Sequence, residues 1–216
     1  MKKIILSFGA LILFTPLLAY GVSHFDKFET YSLAELNGQD GGSGWSGAWS
    51  GSSDFIVQNS VASQGSKAVK IDGPASQLSV IERTFTPRTT GTVRWAQRKD
   101  APDRSSNFEL RSGNTLAAYV AIGSATQPES GGPDWVISDG VTATIVADYT
   151  VGTFDEVEMQ FDTVTDQFRI RINNGPYSIW KNFLNPVDSL DRVHLEIGPS
   201  GDDVGANYWD NIRFDN

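Results

Sequence analysis

The feature of this sequence that most restricts its fold is the alternation of apolar and polar residues in many short runs. In one run, Val93 and Trp95 alternate with Arg94 and Ala96. Alternation with a period of two places successive side chains on opposite faces of a β-strand. The same pattern recurs at 108–110, 118–122, 157–161, 168–172 and 193–197.

The segments between these runs are rich in Gly, Pro, Asn, Asp and Ser, which favour turns. No long helical period is present. Strands with one apolar and one polar face pack as antiparallel sheets with their apolar faces together. We therefore expect one all-β domain, a two-sheet antiparallel β-sandwich closed as a jelly roll.

The N-terminus has the three parts of a secretory signal peptide. Met1-Lys2-Lys3 is a short positive segment, residues 4–18 are mostly apolar, and Ala19-Tyr20-Gly21 supplies small residues for cleavage after Gly21. The alternative is a membrane anchor, but the apolar run is shorter than the ~20 residues of a comfortable span. We therefore expect a leader at 1–21, a domain at 22–216, and a secreted, extracellular or periplasmic protein without membrane attachment.

Charge and cysteine content limit the partners of such a domain. The chain has no Cys, so stability outside the cell has to come from packing or a bound metal and not from disulfides. Removal of Lys2 and Lys3 with the leader takes the formal net charge from −9 to about −11. An acidic surface repels phosphate backbones, which makes nucleic acid an unfavourable partner. The same balance suits oxygen-ligated calcium.

The C-terminal sequence Asn207-Tyr208-Trp209-Asp210-Asn211-Ile212-Arg213-Phe214 resembles the last strand of concanavalin A-like (laminin G-like) jelly-roll modules. Phe25-Asp26-Lys27-Phe28-Glu29 resembles their first strand, and Gly44-Trp45-Ser46-Gly47 a following block. The resemblance covers nearly all of residues 22–216. Its motifs are structural, so it implies the fold and says little about activity.

In that fold the first and last strands lie side by side. The resemblance therefore implies that Asp26 and Asp210 approach one another and bind a structural calcium ion. Calcium takes six to eight oxygen ligands, which carboxylates and carbonyls supply. The alternative is that Asp210 caps a backbone turn and Asp26 is solvated.

Two arrangements of polar residues could carry catalysis. Glu156, Glu158 and Gln160 resemble the catalytic strand of laminarinase-type glycoside hydrolases, which use paired carboxylates. The last position is an amide that cannot protonate a leaving group, so a solvated strand face is the favoured interpretation.

The second arrangement consists of polar residues that alternate with core positions: Arg94, Arg98, Glu109, Arg111, Tyr119, Arg169, Arg171, His194 and Glu196. Jelly-roll polysaccharide lyases use a cation to neutralise the uronate, and a Tyr or His to move the proton. Arg98, Tyr119 and His194 are the nearest equivalents, although no specific lyase motif is present. The alternative is ordinary ionic pairing across a wet sheet face.

Aromatic residues near loops offer surfaces on which sugars stack. Trp45, Trp49, Trp135, Tyr177 and Trp180 lie in or beside loops, and Trp45 is structural in the family pattern. Trp49 and Trp135 are the candidate ligand-binding aromatics, with two strand arginines, Arg94 and Arg98, as candidate polar partners. The alternative is that these indoles are core residues beneath loops.

The sequence favours a secreted, non-catalytic domain that binds an extracellular glycan or another cell-surface ligand. A small polysaccharide-degrading enzyme, more readily a lyase than a hydrolase, is the second interpretation. A structural or adhesion module without a small ligand is the third. The oligomeric state is left open.

Overall fold

The computed structural model describes residues 24–71, 78–101, 105–123, 132–198 and 205–215. The predicted leader at 1–21 and its cleavage site lie outside these ranges. Within them, no helix has both the length and the apolar character needed to cross a membrane.

The described residues form fifteen strands. Their bounds are β1 His24–Asp26, β2 Ser50–Gly51, β3 Phe55–Gln58, β4 Ala68–Ile71, β5 Ser79–Arg88, β6 Thr90–Lys99, β7 Ser106–Ser112, β8 Thr115–Gly123, β9 Asp134–Ser138, β10 Ala143–Asp148, β11 Asp155–Asp162, β12 Gln167–Ile172, β13 Lys181–Asn182, β14 Leu190–Ile197 and β15 Asn207–Asp215.

These strands build two antiparallel sheets. The eight-stranded sheet has the order β13-β12-β11-β6-β15-β4-β3, with β1 also paired to β15. The seven-stranded sheet has the order β10-β9-β8-β7-β14-β5-β2. The predicted two-sheet antiparallel β-sandwich is confirmed. Asp26 is the register partner of Ile212, so the first and last strands of the described chain do lie side by side.

The core lies between the sheets and is filled by the apolar positions of the alternating runs. Trp95 of the eight-stranded sheet stacks on Phe108 of the seven-stranded sheet, with ring centroids 3.8 Å apart and planes 9° apart. Phe85 and Phe214 make a second contact between the sheets, at 4.4 Å. Because neighbouring residues on each strand point the other way, their polar side chains lie on the outer faces of the sandwich.

The motif that resembles the family's last strand contains a backbone irregularity. The register of β15 against β6 shifts between Asp210 and Arg213, and Asn211 has a φ of 52°. Asn tolerates this left-handed conformation better than most residues. The Asp-Asn pair of the motif is therefore explained by backbone geometry and does not require a ligand.

Candidate functional site

The outer face of the seven-stranded sheet carries a connected set of polar and charged side chains. Tyr119, Glu109 and His194 are successive cross-strand partners on β8, β7 and β14, and Glu82 continues this row on β5. Two flanking rows pair Asn107 with Glu196, and Arg111 with Arg192. We call these residues the β7–β14 face: Glu82, Asn107, Glu109, Arg111, Tyr119, Arg192, His194 and Glu196.

The sequence produces this face because core and polar residues alternate on each strand. Phe108 and Leu110 point inward on β7, as Val193 and Leu195 do on β14. The intervening residues therefore point outward. Directly opposite residues lie about 4.5–5.5 Å apart across antiparallel strands, which brings the outward groups into contact.

His194 lies at the centre of the β7–β14 face and is only 6% exposed. Its Nδ1 is 3.4 Å from Oε2 of Glu82. Its Nε2 is 3.5 Å from Oε2 of Glu196 and 3.9 Å from Oε2 of Glu109. One imidazole is therefore surrounded by three carboxylates.

Other polar groups hold the three carboxylates in place. Arg111 Nε donates to Glu109 Oε2 at 2.6 Å, and Arg192 Nη1 donates to Glu82 Oε1 at 2.6 Å. Asn107 Nδ2 donates to Glu196 Oε1 at 3.1 Å. The two guanidiniums nearly balance the three carboxylates, so the face has little net charge.

Glu109 is the most deeply buried of these carboxylates, at 3% exposed. Burial raises the pKa of Glu109, and the negative charge of Glu196 adds to the effect. His194 and Arg111 oppose that rise in pKa. A carboxyl group with a raised pKa retains its proton to higher pH than an ordinary glutamate, which is suitable for hydrogen bonding or proton transfer.

Three buried polar atoms of the β7–β14 face have no hydrogen-bond partner among the residues that the structure describes. They are Asn107 Oδ1, Arg192 Nε and His194 Nε2. Buried polar atoms are nearly always hydrogen-bonded, so an exception requires an explanation. Arg171 Nε, on the outer face of the eight-stranded sheet, is a further atom of this kind, but three lie together on the β7–β14 face and indicate hydrogen-bonding capacity that a ligand could use.

The predicted lyase set is not brought together. Tyr119 and His194 lie in one row of the seven-stranded sheet, as the lyase interpretation requires. Arg98 lies on β6 of the eight-stranded sheet, where its Nε donates to Asp100 Oδ1 at 2.7 Å and its guanidinium lies 5.4 Å from the ring centre of Tyr208. The prediction of an Arg98–Tyr119–His194 cluster is therefore wrong, because alternation cannot show which sheet a strand joins.

Trp49 and Trp135 are not exposed, contrary to the sequence prediction. They are 1% and 0% exposed. Trp49 Nε1 donates to Asp26 Oδ2 at 3.0 Å, and Trp135 Nε1 donates to Asp155 Oδ2 at 2.7 Å. Each indole satisfies its N–H with a carboxylate, so neither presents a face to a sugar. Trp180, at 41% exposed, is the most exposed tryptophan among the described residues.

The outer face of the eight-stranded sheet is occupied by ion pairs. Glu158 accepts hydrogen bonds from Arg94 Nε and Arg171 Nη2, both at 2.7 Å, and from the Tyr177 hydroxyl. Arg169 donates to Gln160, whose position is the one that lacks a catalytic carboxylate. The stretch is a polar strand face, but it is covered by ion pairs and not solvated at Glu158, which is 6% exposed.

Arg94 lines a cavity of about 280 Å³ on this face, beside Glu158 and Arg171. A second ion pair, to Asp215, holds its guanidinium from the other side. Its assignment as a ligand-binding residue stays a prediction.

The carboxylates predicted to bind calcium are satisfied by protein donors. Asp26 Oδ2 accepts from the Tyr31 hydroxyl, Trp49 Nε1 and Arg83 Nη1, at 2.5, 3.0 and 2.7 Å. N–H and O–H donors occupy the positions that calcium would take, because a cation needs the same oxygen lone pairs. The charge of Asp26 is therefore balanced by a buried arginine, which disfavours calcium there, and the calcium assignment stays a prediction.

Asp210 follows the alternative that the sequence left open. Its Oδ2 accepts from the backbone N–H groups of Ser63 and Gln64, at 2.8 and 2.9 Å, and its Oδ1 accepts from that of Asn211 at 2.7 Å. This carboxylate therefore caps backbone turns. Calcium binding by Asp210 is disfavoured in the same way and stays a prediction.

The sequence pattern did not identify several residues of the β7–β14 face. Glu82, Asn107 and Arg192 were not among the candidates. On β5, Ile81 and Phe85 point inward, and the alternation therefore places Glu82 on the outer face. Glu109 and Glu196 were recognised as outward-facing but not as neighbours of His194. The missing signal was the register, which sets the row in which each residue lies.

No protein-family model matches the chain, and no curated protein matches its sequence. Solved structures do resemble its fold. A Bacillus licheniformis β-glucanase aligns with a TM-score of 0.55 and 11% identity over 91% of this chain and 99% of its own. A Lotus tetragonolobus seed lectin aligns with a TM-score of 0.52 and 9% identity over 83% of this chain and 95% of its own.

A sialidase aligns with a TM-score of 0.59 and 12% identity over 77% of this chain, which spans only 16% of the sialidase's length. Identities this low reveal shared architecture and leave activity open. The strand order, the paired first and last strands and these alignments together establish that the chain has the concanavalin A-like jelly-roll fold.

Proposed function

We propose that this chain is a secreted, non-catalytic carbohydrate-binding domain whose ligand surface is the β7–β14 face. The observation that carries the proposal is the set of unpartnered buried atoms on that face, Asn107 Oδ1, Arg192 Nε and His194 Nε2. A buried polar atom without a partner costs about 1–3 kcal/mol. Sugar hydroxyls both donate and accept hydrogen bonds, so a glycan that displaced the covering side chains could satisfy these atoms.

The charge of the face favours a neutral glycan. Glu82, Glu109 and Glu196 oppose Arg111 and Arg192, so a polyanionic chain gains little net attraction. Amide, carboxylate and guanidinium groups at the floor of a site fix the orientation of a polar ligand. The shared fold of a β-glucanase and a seed lectin adds general support for a glycan ligand.

A glycan array of neutral and uronate-containing polysaccharides tests this proposal, followed by calorimetry with the best ligand. Glu196→Gln and Arg192→Gln should each weaken binding about tenfold or more, since a charged hydrogen bond contributes about 1.5–3 kcal/mol. Glu158→Gln and Arg171→Gln change the same chemistry on the outer face of the other sheet. These control variants should leave the affinity within about twofold.

Two outcomes would reject the proposal. The first is the absence of binding to any glycan. The second is a loss of affinity in the Glu158→Gln and Arg171→Gln controls with none in the β7–β14 variants, which would place the ligand on the other sheet.

A polysaccharide lyase is the second candidate, favoured by the placement of Tyr119 and His194 on either side of Glu109 in one row. Arg111 and Arg192, in the flanking row, could neutralise a uronate in place of Arg98. Lyase action on uronate polysaccharides gives an unsaturated, ultraviolet-absorbing product, and Tyr119→Phe should abolish it. New reducing ends without that absorbance indicate hydrolysis, and no product at all rejects an enzyme.

Export is proposed from the sequence of residues 1–21. When the full chain is expressed with a secretion pathway available, the mature protein should appear outside the cytoplasm. N-terminal sequencing should then read from Val22. A mature protein that begins at Met1 would contradict cleavage.

A further inference from the structure

Glu109, His194 and Glu196 form a cluster with the composition of a metal site. One ligand atom from each residue lies within 4.8 Å of the other two. His194 Nε2 is 3.5 Å from Glu196 Oε2 and 3.9 Å from Glu109 Oε2. In a tetrahedral zinc site with bonds of about 2.0–2.1 Å, ligand atoms are about 3.3 Å apart. The two distances exceed that value by about 0.2 and 0.6 Å, and the two carboxylate oxygens lie within 4.8 Å of one another, so the glutamates would move slightly inward on binding.

The imidazole supplies the independent observation that points to a ligand. His194 is 6% exposed, and its Nε2 is buried, unpartnered and directed between the two carboxylates. A neutral imidazole nitrogen and carboxylate oxygens are the donors that a first-row transition dication takes. Calcium is a poorer fit, because it requires six to eight oxygens.

The surrounding residues resemble the outer shell of a metal site. A metal-binding histidine usually directs its other ring nitrogen to a carboxylate, which fixes the ring. His194 Nδ1 is 3.4 Å from Glu82 Oε2, and Glu82 is itself held by Arg192 at 2.6 Å. Ligating carboxylates are in turn hydrogen-bonded. Arg111 holds Glu109 in this way at 2.6 Å, and Asn107 holds Glu196 at 3.1 Å.

We propose that Glu109, His194 and Glu196 bind one Zn²⁺, with Glu82 as a positioning residue for the histidine ring. Three protein ligands leave the fourth tetrahedral position to water or to a ligand oxygen. The site requires no covalent or redox step. It does not rest on the proposed function, because with Zn²⁺ on His194 Nε2 a glycan would still have Asn107 Oδ1, Arg192 Nε and the open fourth position on the metal.

The test is a calorimetric titration of Zn²⁺ into the full chain, purified without a histidine tag, freed of metal with a chelator and desalted. One Zn²⁺ should bind per chain. His194→Gln and Glu196→Gln should each weaken binding about 100-fold or more, since each removes one of three ligands. Glu82→Gln should keep the stoichiometry of one and weaken binding about 10–100-fold, as expected for an outer-shell partner.

Two matched controls separate this site from adventitious binding. Glu158→Gln removes a carboxylate that is held by two arginines on the other sheet, and His24→Gln removes the other histidine of the chain. Both should bind Zn²⁺ with unchanged affinity, and circular dichroism should verify the fold of every variant.

A second readout does not depend on affinity. Co²⁺ in place of Zn²⁺ should give visible absorption bands of a four-coordinate nitrogen–oxygen site in the wild type and in Glu158→Gln, and these bands should be lost in His194→Gln.

Absence of Zn²⁺ binding, or binding that survives in His194→Gln, would overturn the proposal and leave His194 as a buried histidine that lies among carboxylates. Loss only in His24→Gln would overturn it as well. Because these titrations contain no glycan, a negative glycan array with intact Zn²⁺ binding would reject only the proposed function.

Discussion

Arg83 Nη1 lies 2.7 Å from Asp26 Oδ2, and the two side chains are 1% and 0% exposed. Arg83 belongs to β5 of the seven-stranded sheet and Asp26 to β1 at the eight-stranded sheet, so this ion pair joins the two layers inside the sandwich. The Tyr31 hydroxyl and the indole N–H of Trp49 donate to the same carboxylate, and Arg83 Nη2 also pairs with Asp40 Oδ1 at 2.5 Å. A buried charge is tolerated only when it is paired and hydrogen-bonded, which is the case here.

Removal of either partner of this pair should destabilise the protein strongly. Arg83→Met leaves the Asp26 carboxylate buried without its cation, and we expect a loss of about 3–5 kcal/mol in the free energy of unfolding. Asp26→Asn should cost a similar amount. The double variant should lose less than the sum of the two, because neither charge is then left unpaired.

Denaturant unfolding measures these changes. Arg98→Ala is the matched control, since it breaks the partly exposed pair with Asp100 and should cost about 0–1 kcal/mol. Additive losses in the double variant would show that the charges of Arg83 and Asp26 do not interact.

Trp135 is expected to contribute to stability and not to ligand binding. Trp135→Phe removes the N–H that Asp155 Oδ2 accepts at 2.7 Å, and should cost about 1–3 kcal/mol of unfolding free energy. Trp180→Phe alters an exposed ring and should stay within about 0.5 kcal/mol. Glycan binding measured on folded Trp135→Phe protein should be unchanged. A loss of binding with normal stability would return Trp135 to the ligand site.

Asp210 should make stability depend on pH. Burial raises the pKa of Asp210 from 3.8 to about 6, despite the backbone hydrogen bonds from Gln64 and Ser63. The folded protein therefore holds this proton more tightly than the unfolded chain, so stability falls as pH rises from about 4 to about 6. The difference corresponds to roughly 3 kcal/mol.

The measurement is the unfolding free energy of wild type and Asp210→Asn at several pH values across this interval. Asparagine does not titrate, so the gap between the two profiles should change with pH between about 4 and 6 and be constant above it. Parallel profiles would contradict a raised pKa at Asp210.

The position of Asn211 in β15, which has a left-handed backbone conformation, should tolerate substitution by glycine better than substitution by alanine. Asn211 has a φ of 52°, which costs an ordinary L-residue about 1–2 kcal/mol. Asn211→Ala should lower the free energy of unfolding by that amount, and Asn211→Gly by less. Asn114→Ala, on an exposed residue, should change it by no more than about 0.5 kcal/mol. Equal losses for Gly and Ala would show that the backbone conformation is not the cause.

Much of the fold could be predicted from the sequence because alternation is a local signal. The inward positions around Trp95, Phe108, Met159 and Leu195 all lie in the core. The pairing of the first and last strands was implied by the family resemblance and is also confirmed. Exposure of individual tryptophans could not be read in the same way. Trp49 and Trp135 follow loop segments, yet each ring is buried in the core. Each indole N–H is accepted there by a carboxylate that is distant in the sequence.

The candidate site could be predicted only in part. The sequence predicts Tyr119 and His194 as outward residues, and both lie on the outer face of the seven-stranded sheet. Arg98 shows the same local alternation but belongs to the eight-stranded sheet. Arg83 shows the same limit for an inward-pointing residue. Its alternation with Ile81 and Phe85 places it inward, and the positions of Asp26 and Asp40 explain how a guanidinium can remain there.

The sequence by itself determined which face of each strand is apolar, where the chain turns, and therefore that two sheets enclose one core. It did so because side-chain direction in a strand depends only on parity along the chain. The tertiary structure alone decided which strands are neighbours and in what register. Those choices depend on contacts between residues far apart in sequence, as with Glu82, Glu109 and Glu196, which meet only around His194.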